Sequence, residues 1–192
     1  LISPSMNVPA PDIGSSSREM AWIADEYRKI HPSDINGAAC VTGKPTNKNG
    51  LPGREEATGR GVQFIVREFF RNSDLLKMVK LDENLATKTM IVQGIGNVGY
   101  HLSKFLTEDD QVKLIGISEH NGGIHNEEGI NVEHAKRYFS KHKSFINYPK
   151  ATFIKDSSLL LKRSCDILIP AARENVITEK NAGDITAKLI VE

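Results

Sequence analysis

A doubly wound α/β fold with a mostly parallel sheet is what the sequence predicts, and three features carry the prediction. From Thr89 onward, short apolar runs alternate with stretches of helical period. The runs are apolar at consecutive positions, which suits strands covered on both faces. The first of them leads straight into a glycine-spaced turn that opens a helical pattern. Residues 1–53 lack this alternation, so the chain is divided into the incomplete end of a second domain at 1–53 and a doubly wound domain at 54–192.

Each element has its own signal. Ser16 and Glu19 have capping-box spacing, and Met20, Ile23, Ala24 and Tyr27 then follow as one helical stripe. Residues 33–53 read as loop, because Gly37, Gly43, Pro45, Gly50, Pro52 and Gly53 interrupt any period. A second helix is expected over Glu55–Arg71, with Val62, Ile65, Val66, Phe69 and Phe70 on its apolar side. Gly59 and Gly61 in its opening turns would admit another backbone at close range. Strands are then expected at 89–93, 112–118, 151–154, 165–170 and 187–191, with helices at 97–106 and 131–143 between them.

Composition narrows the function classes. The chain is 39% hydrophobic and 26% charged, which is globular and excludes disordered, collagen-like and disulfide-scaffold classes. Its net charge is +1, which gives no footprint for nucleic acid. The short basic run Lys141-His142-Lys143, near Arg137, reads as a solvated helix face. Cys40 and Cys165 sit in separate apolar contexts and read as buried thiols of a reducing compartment. With neither a long apolar run nor a signal-peptide shape, a soluble intracellular chain is expected. No metal-ligand spacing stands out, so no metal is expected. The two ends look cut from something longer: residues 1–12 do not begin like a domain, and a strand pattern runs up to Glu192.

The glycine turn is Gly94-Ile95-Gly96-Asn97-Val98-Gly99, or G-x-G-x-x-G, placed directly after a strand and before a helix. In that context the first glycine turns the chain, the second lets backbone approach a pyrophosphate, and the third packs helix on strand. The helix N-terminus offers free N–H groups and a positive dipole end to the phosphates. Glu119 follows the next strand at the spacing of the acid that receives the adenosine ribose hydroxyls of NAD. No Arg or Lys stands close behind Glu119 in the sequence to favour a 2′-phosphate. The reading is therefore a Rossmann-type nucleotide domain with NAD as its coenzyme and NADP as second candidate.

Three other segments are less specific. Asp12 follows two prolines in Val8-Pro9-Ala10-Pro11-Asp12, and on spacing alone an ordinary turn aspartate accounts for it first. Arg54-Glu-Glu-Ala-Thr58-Gly-Arg-Gly61 is a polar helix entrance or a ligand contact, with equal weight. Pro170-Ala171-Ala172 ends a strand where open α/β sheets bind ligands, leaving room for a flat ring or making a tight turn.

Taken together these stretches resemble the glutamate dehydrogenases within the glutamate/leucine/phenylalanine/valine dehydrogenase family. The matching text is VPAPD at 8–12, REMAWIAD at 18–25, ACVTGKP at 39–45, ATGRGV at 57–62, QGIGNVG at 93–99 and CDILIPAA at 165–172. The stretch from Gly122 to Asn131 looks closer to the animal-type enzymes. The resemblance implies reversible, NAD(P)-dependent oxidative deamination of L-glutamate to 2-oxoglutarate and ammonia. It implies Asp12 as a catalytic proton relay, Arg54 near the substrate carboxylate and Thr58 at the nicotinamide end. It implies Gln93, Gly94, Ile95, Gly96, Asn97 and Val98 as the pyrophosphate loop. Glu119 and His120 match the adenosine-ribose site, and Ala171 and Ala172 lie beside the nicotinamide. Cys40 and Lys44 are assigned to structure. A homohexamer in the mitochondrial matrix is implied, with the cytoplasm as the alternative. The sequence departs from the family at Asn7, where aspartate is usual. The family's catalytic lysines precede Asp12 and its nicotinamide asparagine follows Glu192, so residues 1–192 alone are expected to be inactive. The competing readings are a branched-chain or aromatic amino-acid dehydrogenase and a truncated, non-catalytic NAD-binding module.

Overall fold

The computed structural model describes residues 2–12 and 14–192. The chain divides into two compact units, Leu1–Glu55 and Glu56–Glu192. Among the described residues, no helix is long and apolar enough to cross a membrane.

Among the described residues the first unit has one α-helix, α1 (Ser17–Ile30), which starts where the capping box predicts. The Ser16 N–H donates to Glu19 Oε2 at 2.7 Å, and the Arg18 N–H donates to Ser16 Oγ at 3.3 Å. The Ser16 and Arg18 side chains hold the Glu19 carboxyl down to about 2. Met20 and Ala24 of the predicted stripe are buried against Cys40 and Val41, with Ile23 and Tyr27 packed at the edge. The loop beyond is drawn tight around Lys44, whose ammonium is buried and donates to the Val41 carbonyl.

The second unit begins with α2 (Ala57–Arg71) and α3 (Ser73–Val79), followed by β1 (Thr89–Gln93), α4 (Asn97–Glu108) and β2 (Lys113–Glu119). Then come β3 (Gly122–His125), α5 (Val132–His142), β4 (Thr152–Ile154), α6 (Ser158–Leu161), β5 (Ile167–Pro170) and β6 (Leu189–Ile190). They form one six-stranded sheet in the order β4-β3-β2-β1-β5-β6. The β1–β2, β1–β5 and β5–β6 pairs are parallel, while β3 runs antiparallel to both β2 and β4. The sheet is therefore mostly parallel, as predicted, with an antiparallel flank.

Consecutive apolar residues serve opposite faces. Met90 and Val92 join Leu102, Leu106, Ile167 and Ile169 in one core, and Ile91 joins Ile115, Leu160 and Leu168 in the other. This is why the strands read as unbroken apolar runs. The β1–β2 register shifts between Met90 and Ile91.

α2 packs on α4 through Gly59. A Cβ there would stand 2.7 Å from the Leu102 nitrogen and 2.9 Å from His101 Cβ. The same contact carries a polar lock, in which buried Gln63 donates to Asp110 at 2.6 Å and Arg67 Nε to Asp110 at 2.7 Å.

Two local expectations are corrected, and two elements, α3 and β3, appear where the sequence predicts none. Gly61 faces open space, so only Gly59 serves close approach. Ile65 is exposed rather than packed, because the buried stripe of α2 is the narrower set Gly59, Gln63, Val66 and Phe70. α3 is too short for a periodic pattern, and its start is set instead by Asn72 Oδ1, which accepts from the Asp74 and Leu75 N–H groups. β3 carries a Gly-Gly pair that argues against a strand by propensity. It forms nevertheless, since a Cβ at Gly123 would lie 2.3 Å from Leu160 and 2.5 Å from the Ile117 carbonyl.

Gly59→Ala should lower stability by about 1–3 kcal/mol, because the neighbour is backbone and cannot step aside. Gly61→Ala should instead be neutral or stabilising by up to about 1 kcal/mol through helix propensity. Thermal melts of the two variants should move in opposite directions or leave Gly61→Ala unchanged; equal losses would remove Gly59's special place.

Burial, with Asp166 next to it, pushes the Cys165 thiol up to about 12. A raised folded-state value stabilises the fold fully below the unfolded thiol's value, and that contribution is lost as pH rises towards the folded one. Cys165 should therefore resist thiol reagents at pH 8 until the chain unfolds. Stability should decline above about pH 9, and Cys165→Ser should weaken that alkaline decline.

Candidate nucleotide-binding site

The sheet changes direction at β1. The chain leaves β1 through α4 to reach β2 on one side, and later returns to place β5 on the other. The crevice at the carboxyl ends of β1 and β5 is thus the topological switch point, where open α/β sheets bind ligands.

The three glycines of the turn do three different things there. Gly94 has φ +90°, and a Cβ on it would stand 2.8 Å from Ala172 Cβ and 3.0 Å from the Ala171 carbonyl. Gly99 lies so close under the turn that a Cβ would stand 2.0 Å from the Gly94 carbonyl. Gly96 is exposed and has nothing near its Cβ direction, which leaves its side of the turn open. Gly96 is also the N-cap of α4, in extended conformation and without a side-chain cap, so the first-turn N–H groups are left for an outside acceptor.

The turn is held from three elements. The Gly94 N–H donates to the Ser118 carbonyl at 2.7 Å, and the Ala171 N–H donates to the Gln93 carbonyl at 2.9 Å. The Ile95 N–H donates to Glu119 Oε1 at 2.8 Å, and Lys136 Nζ donates to the Ile95 carbonyl at 2.7 Å. Glu119 is thereby mostly buried, its second oxygen 3.4 Å from Nδ1 of the more exposed His120. Gln93, Gly94, Ile95, Gly96, Asn97, Val98, Glu119, His120, Ala171 and Ala172 are accordingly gathered around the carboxyl ends of β1, β2 and β5.

Lys136 escaped the sequence reading. Its signal was its place in the helical stripe Val132, Ala135, Lys136, Phe139, where a cation on an inward face needs an acceptor. Gln93 Oε1 is buried with no hydrogen-bond partner among the described residues. A buried amide oxygen left without a donor is costly, which suits a ligand donor in this crevice. Together with the open side at Gly96 and the uncapped helix start, the crevice fits a dinucleotide.

The remaining candidates lie apart from this cluster in the chain. Thr58 is exposed in the first turn of α2. Asp12 and Arg54 belong to the first unit. Asp12 sits in a turn closed by Ser15, whose Oγ accepts from the Asp12 N–H at 2.9 Å and whose N–H donates to the Asp12 carbonyl at 2.9 Å. The proline segment before it is tied to the Cys40–Lys44 loop, since the Thr42 N–H donates to the Pro9 carbonyl at 2.9 Å and Gly43 packs on Pro11. Two motifs far apart in sequence thus meet within one unit. Among the described residues, no cluster of His, Cys, Asp and Glu is placed to hold a metal ion.

Known proteins carry the same pattern. A mitochondrial glutamate dehydrogenase of Dictyostelium discoideum is 46% identical over 191 residues, which cover 100% of this chain and 38% of the relative. An NADP-specific glutamate dehydrogenase of Saccharolobus shibatae is 40% identical over 187 residues, covering 97% of this chain and 41% of the relative. The solved hetero-hexameric glutamate dehydrogenase of Thermus thermophilus superposes with a TM-score of 0.84 at 26% identity, over 100% of this chain and 42% of that one. The chain spans about two fifths of the length of these proteins. The family described as Glutamate/Leucine/Phenylalanine/Valine dehydrogenase matches residues 50–192. With that match, a glycine turn at the switch point and a buried acid behind it, the chain belongs to the glutamate/leucine/phenylalanine/valine dehydrogenase family.

Proposed function

We propose that the protein carries out reversible, nicotinamide-dependent oxidative deamination of L-glutamate to 2-oxoglutarate and ammonia. The observation that carries this reading is the Gly94–Gly99 turn at the β1–β5 switch point with Glu119 seated beside it. The relatives named above support glutamate as the substrate. The coenzyme, when bound, supplies a two-electron hydride acceptor or donor. The chain's own residues bind, orient and exclude water.

In this reading Gly96, Asn97 and Val98 offer N–H groups to the pyrophosphate, and Glu119 with His120 takes the adenosine ribose. Ala171 and Ala172 leave space beside the nicotinamide ring, and Thr58 contacts its amide end. Arg54 has no hydrogen-bond or ion-pair partner among the described residues, which suits a guanidinium kept for the substrate carboxylate. Asp12 exchanges protons as the amino group leaves, a role its exposed carboxylate can fill without a buried shield. The domain division is proposed to follow the same lines, with residues 1–53 completing a substrate domain and 54–192 binding the coenzyme. A hexamer is proposed by analogy with the Thermus enzyme, and the mitochondrial matrix by analogy with the Dictyostelium one.

A substrate panel on the intact protein tests the reading: NAD-dependent turnover should be largest with L-glutamate, and preference for leucine, valine or phenylalanine would overturn it. Asp12→Asn should lower kcat on the order of 10²-fold while leaving NADH binding nearly intact, the scale of lost acid–base catalysis. A variant with normal kcat would return Asp12 to the rank of a turn residue.

The Glu119 carboxylate accepts from a ribose hydroxyl and repels a 2′-phosphate, so NADH should bind better than NADPH by roughly 1–2 kcal/mol at this partly screened edge. Glu119→Ser should weaken NADH more than NADPH, since it removes the carboxylate that favours the 2′-hydroxyl and repels the 2′-phosphate, whereas the lost hold on the Ile95 N–H affects both coenzymes alike. Titration of parent and variant with both reduced coenzymes checks this; an unchanged ratio removes Glu119 as the discriminator.

A further inference from the structure

Ile95 is gripped by two opposite charges. Glu119 at the end of β2 accepts its N–H at 2.8 Å, and Lys136 from α5 donates to its carbonyl at 2.7 Å. The Ile95 side chain is buried, and both contacts to its backbone are partly buried. A trans peptide is planar, with C=O and N–H on opposite sides. Holding the Ile95 carbonyl towards α5 therefore directs the Gly96 N–H of the same peptide plane away from α5. Holding the Ile95 N–H towards β2 fixes the preceding plane in the same way. Between them the two side chains set both peptides of the turn before any ligand arrives.

Lys136 is in turn aimed by α4. Its ammonium lies 5.2 Å from the Tyr100 ring, and the Tyr100 hydroxyl is fixed by donating to Glu133 at 2.6 Å. Lys104 pairs with the same Glu133 oxygen at 3.0 Å, so the carboxylate that fixes Tyr100 is itself held from α4. Lys136 is half-buried beside the buried Val132 and Ala135 of α5, and its ammonium finds an acceptor on the glycine turn.

We infer that Lys136 is a positioning residue for the coenzyme's diphosphate: it presets the Ile95–Gly96 peptide and places a fixed positive charge behind the phosphate-facing turn. This rests on the dinucleotide reading of the turn given above. The diphosphate is the group affected, because the peptide that Lys136 controls belongs to the phosphate loop and not to the ribose or nicotinamide ends.

The test uses the intact protein, with ADP-ribose as a probe that has the diphosphate and lacks nicotinamide, and adenosine as one that lacks phosphate. Lys136→Met should raise the Kd of ADP-ribose and of NADH by the same factor, roughly five- to thirty-fold for a partly screened charge-assisted bond. Adenosine binding and kcat at saturating coenzyme should stay within twofold of the parent, by rough allowance for scatter. Lys136→Gln, which keeps a donor and loses the charge, should fall between the two and carries the test if the Met variant does not fold. Unchanged ADP-ribose affinity in either variant, or an equal loss for adenosine, would overturn the inference while leaving the coenzyme reading standing. A parent protein that binds neither ADP-ribose nor NADH would overturn that reading and this inference with it.

Discussion

The contact between Gly99 and the Gly94 carbonyl governs how this domain is put together. With only 2.0 Å available for a Cβ, α4 can start directly beneath the turn that ends β1, and no side chain can hold the two apart. That closeness fixes where the helix axis begins relative to the sheet. It also leaves Gly96 at the helix cap facing outwards and directs the first-turn N–H groups past the end of β1. Gly94 with its positive φ, pressed against Ala172, transmits the constraint to β5. The strands on both sides of β1 are thereby tied to one turn.

The rest of the unit stabilises that arrangement by keeping both sheet faces dry. Met90, Ile91 and Val92 are completely buried, alternating between two cores. Full burial of each such side chain contributes about 1.5–3 kcal/mol. The opposite end of β1 is fastened by a polar tie, in which the Thr89 N–H donates to Asp166 Oδ2 at 2.9 Å and Lys188 pairs with Asp166 at 3.0 Å. These bonds align β5 and β6 with β1 in register, so the crevice at the far end is set from both ends of the sheet.

The charges near the turn do not act as a uniform positive field. A negative Glu119 and a positive Lys136 engage the two sides of one residue, Ile95. Backbone polarity is thus oriented by fixed side chains instead of being left to reorganise when a diphosphate binds, which is the condition under which dipoles attract charge most strongly. The cation–π contact of Lys136 with Tyr100 and the Tyr100–Glu133 bond extend the same support from α4 to α5.

The sequence by itself determined the alternation of buried strands and helices, the capping of α1, the glycine turn with Glu119 behind it, and the likeness to one dehydrogenase family. These are legible because each depends on residues adjacent in the chain or on a short fixed period. β1 was predicted to the residue for this reason, its five positions lying between a polar entry and the first glycine. Only the tertiary structure decided the antiparallel flank, where Gly122 and Gly123 are required by the approach of Phe153 and Leu160 from later segments and of the Ile117 carbonyl from the paired strand β2. It likewise separated Gly59 from Gly61, two residues apart on the same helix, because only one of them faces α4. Lys136 belongs to the same class. A lone lysine on a helix has no meaning in the sequence until the fold brings the Ile95 carbonyl, forty-one positions earlier, within 2.7 Å of its ammonium.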